Sequence, residues 1–257
     1  MDDANKNNHR KKVSIITATY NSENFIEQTY NSLLQQTLTQ WEWIITDDCS
    51  TDSTKNIIEQ IKLKDNRVKV FYNSVNSGAA ISRNKSLQYA NGEFLAFIDS
   101  DDLWHESKLE RQINFMGNNI DFSFTAFEIM NENLEPKNHY IDKKELRPLN
   151  YNDMLKKKAT LGCSTVMIRR STFPNLQMPL LRTGQDYATW LLILKTGTKA
   201  YLLPEVLTKY RIVSNSISRN KFKKALRQWQ IYRRVEKINI FSSCYYFMHY
   251  AFKATFR

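Results

Sequence analysis

Between Val13 and Asp99 the chain alternates repeatedly between short apolar runs and stretches of helical spacing, and this restricts the fold more than any other feature. VSIITAT, Val13 to Thr19, is dominated by β-branched residues, the composition of a strand buried on both faces. Phe25, Ile26, Tyr30, Leu33 and Leu34 then recur at helical spacing. Trp41 to Thr46 reads as a second strand ending in Asp47-Asp48, and Ile57, Ile58 and Ile61 mark a second helix. Val68 to Tyr72, the turn Asn73 to Gly78, a helix over Ala79 to Ala90 and a strand over Glu93 to Asp99 complete the series. Such alternation predicts a mostly parallel sheet flanked by helices, an α/β fold. Further on, Glu106 to Met116 and Tyr187 to Lys195 read as helices, and Asp121 to Met130, Cys163 to Ile168 and Val206 to Val213 as strands. Asn131 to Asn150 is polar and reads as a hairpin or loop over the active face.

The glycines that would make this sheet a dinucleotide or P-loop site are absent: no GxGxxG follows the first strand, and no GxxxxGK[ST] occurs anywhere. Strand ends carry carboxylates instead. In FLAFIDSDDLW, Phe94 to Trp104, an apolar run stops abruptly in Asp99, Asp101 and Asp102. That much like charge at the carboxyl end of a sheet strand is suited to a hard divalent cation, and the cation to a phosphate. The plainer reading is a solvated turn with Ser100 or Asp102 capping the next helix.

Charge is uneven. The 257 residues carry a net +11, of which +8 lies from Lys221 to Arg257. The first 220 residues are nearly balanced, at +3, so a uniformly basic nucleic-acid binder is disfavoured and a basic tail seeking an anionic surface is expected. Cys49, Cys163 and Cys244 are far apart and form neither a metal-ligand spacing nor a disulfide framework, which points to a reducing compartment. MDDANKNNHRKK has no apolar core for a signal peptide, and Ile238 to Phe252 is too short and too interrupted to span a bilayer. An intracellular, cytoplasmic protein is expected.

VSIITATYN, TDDCSTDST, NSGAAISRNKSL and FIDSDDLW, in that order and spacing, resemble the family 2 glycosyltransferases of the GT-A fold. The likeness is strong over Val13 to Trp104, visible over Leu161 to Ser218 and loose for the tail. It implies that Ala18 and Tyr20 meet a nucleobase, that Asp48 accepts the uracil N3–H, and that Arg83 offers its planar fork to base or diphosphate. Helix capping is the ordinary alternative for Asp48 and Asp52. Asp99-Ser100-Asp101 resembles the family's DXD motif, which implies ribose or metal contact by Asp99 and Mn²⁺ or Mg²⁺ ligation by Asp101. Asp102 is expected to cap a helix or support its neighbours. Asp186 in TGQDYATW resembles the family's catalytic base position, with Gln185 where Glu is usual. KYRIVSNSIS resembles the closing YRxxxxSxS segment, leaving Arg211 to reach the diphosphate and Val213 where many relatives have His.

The expected organisation is a disordered 1–11, a GT-A domain over 12–219 (nucleotide-binding 12–105, acceptor-binding 106–219), and a basic, aromatic helical tail over 220–257. The resemblance implies a metal-dependent inverting transferase that uses a nucleotide-sugar, UDP-linked, and a glycan or lipid-linked oligosaccharide acceptor of bacterial surface polysaccharide synthesis. Aromatic residues interleaved with nine Lys/Arg in the tail suit an anionic membrane surface, for an enzyme peripheral on the inner face of the cytoplasmic membrane, or else a helix pair packed on the catalytic domain with a solvated basic face. The competing reading from another class is a catalytically idle nucleotide-binding protein whose basic tail recruits partners.

Overall fold

Strand β1 (Val13–Thr19) pairs in parallel on one side with β2 (Trp41–Asp47) and on the other with β4 (Phe94–Phe97), while β3 (Val68–Tyr72) pairs in parallel with β2. The structure, a computed structural model, describes residues 12–144, 147–213 and 221–256. Helices α1 (Ile26–Leu34), α2 (Thr54–Lys64) and α3 (Ala79–Gln88) connect these strands as crossovers. Strand side chains alternate between faces. Ile15 and Ile45 pack on one side with Ile26, Leu33, Ile58 and Trp43, and Ile16 and Ile44 pack on the other with Ala80, Phe97 and Trp190. Each such aliphatic side chain contributes about 1.5–3 kcal/mol on burial, so double-sided cover is what makes β-branched runs profitable here.

The second half departs from parallel order. The short β5 (Leu103–Trp104) precedes α4 (Lys108–Met116), and β6 (Phe122–Met130) forms a hairpin with β7 (Pro136–Ile141). After α5 (Tyr151–Leu155) come β8 (Met167–Arg169), α6 (Gln185–Lys195) and β9 (Tyr201–Arg211). The sheet runs β3-β2-β1-β4-β8-β6-β9-β5, with β7 paired to β6 off this path. Strand β8 is antiparallel to both β4 and β6, and β5 is antiparallel to β9, so the sheet is parallel over its first four strands and mixed beyond them.

The strand expected over Cys163 to Ile168 needs correcting. Cys163–Thr165 is a 3-10 turn, and extended structure begins only at Met167. The hydroxyls decide this: Thr165 Oγ1 donates to the Gly162 carbonyl at 2.7 Å, and Ser164 Oγ donates to Asp102 at 2.5 Å. Such local side-chain bonds compete with a sheet ladder.

The C-terminal helices are joined to the body. α7 (Lys221–Gln230) continues into a π-helical turn, Ile231–Val235, and α8 (Ile240–Phe256) follows. Tyr232 is fully buried and donates to the Leu155 carbonyl at 2.6 Å, and Glu236 accepts from Tyr151 at 2.5 Å and from Lys195 at 2.6 Å. No helix among the described residues is long and apolar enough to cross a membrane. The N-terminal stretch 1–11 and the serine-rich part of the closing segment, 214–218, lie outside the described residues.

Candidate active site

The turn after β4 is built by hydrogen bonds that leave two of its three carboxylates facing a cleft. The Asp99 amide donates to Ser164 Oγ at 3.0 Å, the Ser100 and Ser22 hydroxyls lie 2.8 Å apart, and Thr29 Oγ1 donates to the carbonyls of Ser100 and Asp102. Asp102 turns inward, is buried, and accepts from Ser164 Oγ and from the Arg211 amide at 2.9 Å. It caps no helix. Asp99 and Asp101 line a cleft of about 1020 Å³, together with Tyr20, Arg83 and Asp186.

Burial and like charge oppose full ionisation of this turn. Burial, reinforced by Asp99, pushes the Asp101 carboxyl up to about 7, and burial with Asp101 and Asp99 raises Asp102 well above the carboxylate range. Arg83 forms an ion pair with Asp99, its Nη2 at 2.5 Å, while Arg211 and Arg83 partly offset the rise at Asp101. Asp99 and Asp101 offer hard oxygen donors, and among the described residues no third His, Cys, Asp or Glu joins them. Two carboxylates completed by substrate phosphate oxygens is a usual way to hold Mg²⁺, so these residues fit the metal that the fold family implies. Arg83 fits an anion. It is buried, its Nε and Nη1 have no hydrogen-bond partner, and although desolvation opposes its charge, Cys163, Asp99 and Asp186 raise its pKa.

Asp186 reaches the same cleft from the start of α6. Gly184, at φ +76°, turns the chain into α6 so that Asp186 falls in the first helical turn and lines the cleft. The left-handed conformation there favours glycine. Gln185, in the place of the usual acid, is buried beside it.

Other expected residues are placed as follows. Ala18, near the end of β1, and Tyr20, just after it, line the cleft, and Tyr20 is exposed. Neighbouring Asn21 holds φ +49° while its Oδ1 accepts from the Thr51 amide at 2.9 Å, locking the loops after β1 and β2 together. Asp48 does not line the cleft: its carboxylate accepts from the amides of Ser77 (2.8 Å) and Gly78 (2.7 Å) and from Asn73 Nδ2 (2.9 Å). It shapes the turn that leads into α3, the helix that carries Arg83. Asp52 accepts from the amides of Glu23 and Thr54 at 3.2 and 3.0 Å.

Arg211 lines the cleft and is also bonded to the chain around it. Its Nε donates to the Asp101 carbonyl (2.8 Å), Nη1 to the Glu132 carbonyl (2.8 Å) and Nη2 to Gln28 Oε1 (2.7 Å), and its guanidinium lies 4.7 Å from the Phe25 ring centroid. These bonds tie the Asp101 turn to β9, to the loop after β6 and to α1, and they use three of the five guanidinium N–H groups. Val213 lines the cleft. Sequence reasoning missed Ser164, which ties Asp99 to Asp102, and the cleft-lining cations Arg182 and Arg227. No local pattern marks these three, because each is brought in by an element remote in the chain.

Residues 14–176 match the family model described as glycosyl transferase family 2. The chain belongs to that family. It is 45% identical over 245 residues to the putative teichuronic acid biosynthesis glycosyltransferase TuaG of Bacillus subtilis, covering 95% of this chain and 96% of that protein. It is 38% identical over 240 residues to an Escherichia coli protein, the UDP-Glc:alpha-D-GlcNAc-diphosphoundecaprenol beta-1,3-glucosyltransferase WfgD, covering 93% of this chain and 91% of that one. The crystal structure of residues 1–349 of S. aureus TarS in complex with UDP superposes with a TM-score of 0.66 at 26% identity, over 78% of this chain and 60% of the TarS chain. The fold is GT-A: a mixed sheet flanked by helices, with C-terminal helices added.

Proposed function

We propose that this chain is a metal-dependent, inverting glycosyltransferase that moves a sugar from a UDP-sugar to a lipid-linked glycan of bacterial cell-envelope polysaccharide synthesis. The observation that carries the reading is one cleft in which Asp186 faces Arg83, Asp99 and Asp101. The names of TuaG and WfgD and the UDP bound to TarS support the donor and acceptor classes. Tyr20 and Ala18 flank the base, and Arg83 holds the diphosphate end with its two unspent guanidinium nitrogens. Asp186 accepts the proton of the acceptor hydroxyl as its oxygen bonds to the anomeric carbon; the bond from that carbon to the diphosphate oxygen breaks, and UDP leaves with the electron pair. Asp99 and Asp101 would hold Mn²⁺ or Mg²⁺, which supplies neutralisation of the charge gathering on the leaving diphosphate.

Peripheral attachment to the inner face of the cytoplasmic membrane belongs to the same proposal. On α8, Phe241, Tyr245, Met248 and Phe252 are exposed at a spacing that puts them on one face, and Lys156 lies 5.1 Å from the Tyr245 ring. The opposite face of α8 is spent on the body, where Phe247 meets Trp229 and Tyr246 meets Tyr232.

UDP release from a panel of UDP-sugars, with and without Mn²⁺, on wild type and Asp101→Ala tests the core of the reading. Metal-dependent turnover of one sugar, lost in the variant, is expected. Turnover that ignores Asp101→Ala would sink the metal assignment, and UDP binding without turnover of any sugar would favour an idle nucleotide-binding protein.

A further inference from the structure

The donor reading leaves one wall of the cleft without a task. Seven Lys/Arg side chains line the cleft against three carboxylates. Arg83 and Arg211 are tied to the Asp99–Asp101 turn, and Arg182 donates to Asn76 Oδ1 at 2.7 Å. Arg227 is different. It projects from α7 against Gly184, two residues before Asp186, so closely that a Cβ at Gly184 would lie 2.8 Å from Arg227 Cδ. Desolvation lowers its pKa, with Asp186 acting in the opposite sense. Among the described residues it has neither a salt bridge nor a hydrogen bond, although it is half-buried. A partly desolvated guanidinium with no partner among the described residues favours an anion. One helical turn away, Lys224 lines the same cleft.

We infer that Arg227, with Lys224 beside it, forms a second anion subsite that binds the diphosphate of the acceptor, a glycosyl diphosphate carried on a lipid. This rests on the glycosyltransferase reading and names the acceptor subsite within it. The donor diphosphate belongs to the Arg83 and Asp101 side, whereas Arg227 stands on the wall that carries the proton acceptor. A hydroxyl presented to Asp186 and an anion held by Arg227 are then a short molecule apart, which suits a sugar attached directly to a diphosphate. The same pair of helices that supplies Arg227 also exposes the α8 apolar stripe, so a lipid chain leaving the diphosphate meets an apolar surface on the element that binds its head.

The test titrates farnesyl diphosphate into the full chain already saturated with UDP, for wild type, Arg227→Gln and Arg227→Lys. Wild type is expected to bind it, Arg227→Gln at least tenfold more weakly, and Arg227→Lys in between, because the charge survives and the planar fork is lost. UDP affinity is expected to be equal in all three. Farnesyl monophosphate and vesicles of phosphatidylglycerol should be less affected by Arg227→Gln, which separates a diphosphate head from a general phosphate or a lipid surface. Equal farnesyl diphosphate affinity in wild type and both variants overturns the subsite, as does absence of binding to wild type. A loss of UDP affinity in Arg227→Gln would also overturn it by assigning Arg227 to the donor. If UDP does not bind wild type, the nucleotide-sugar reading fails instead, and the farnesyl diphosphate comparison without UDP still decides Arg227.

Discussion

Asp186 and Lys108 show how far burial and neighbours set what a single side chain does. Asp186 lies in the first turn of α6 and carries the proton transfer in the proposed reaction. Asp186→Asn keeps its size and removes its basicity, so turnover is expected to fall by about 10²–10⁴-fold while UDP affinity stays unchanged by calorimetry. Lys108 is fully buried, donates to Gln112 Oε1 at 2.7 Å and lies 4.2 Å from the Trp104 ring centroid. Desolvation lowers its pKa from 10.5 to about 7. Between those values the unfolded chain binds more protons than the native one, so stability rises with pH from 7 towards 10.5 by up to about 1.4 kcal/mol per pH unit. Below pH 7 the full penalty of burying the charge applies. Lys108→Met should abolish that slope in urea unfolding series at stepped pH and be the more stable protein at pH 6; an unchanged slope would assign it to another group.

At the scale of elements, close approaches fix where the site residues point. Gly92 packs so tightly on β1 that a Cβ would lie 2.5 Å from the Ser14 amide nitrogen and 2.8 Å from the Val13 carbonyl carbon. Backbone cannot yield there as a flexible side chain would. Gly92→Ala is therefore expected to destabilise by about 2 kcal/mol or more, read as a lower midpoint in chemical denaturation. Gly184→Ala combines φ +76° with a clash against Arg227 Cδ, which can move. Its stability loss should be smaller, roughly 1 kcal/mol, but the displaced α7 should show as a higher acceptor KM with donor KM unchanged. Equal rises in both would mean that Gly184 shapes the whole cleft.

Across the whole molecule, the C-terminal helices close the core and expose a surface at once. Ile231 and Tyr232 belong to the same buried cluster as Phe97, Trp190 and Leu191. Ending the chain at residue 220 would uncover that cluster, and the shortened protein is expected to be insoluble or to unfold without a cooperative transition. The outer stripe is separable from this. Phe241→Ser with Phe252→Ser, at two of the most exposed large apolar positions, should leave the melting temperature within about 2 °C, consistent with surface substitutions within ±0.5 kcal/mol. Co-sedimentation with phosphatidylglycerol vesicles should fall severalfold. Retained binding would move the contact to the basic residues alone.

The sequence by itself determined the local features. β-branched runs, helical stripes and the strand-end motifs marked β1 to β4 and the carboxylate turn, because each is written in consecutive residues whose spacing follows strand or helix geometry. The family followed from the same motifs. What only the tertiary structure decided is who answers those residues. Asp48 and Arg211 each meet partners from distant parts of the chain at 2.7–2.9 Å, which their neighbours in sequence do not show. Ser164 becomes the support of the carboxylate turn from 62 residues beyond Asp102, and Arg227 packs from α7 against Gly184, two residues before Asp186. Hydrogen bonds and desolvation depend on distance in space, and the spacing of residues along the chain carries no record of that distance once it passes a few helical turns.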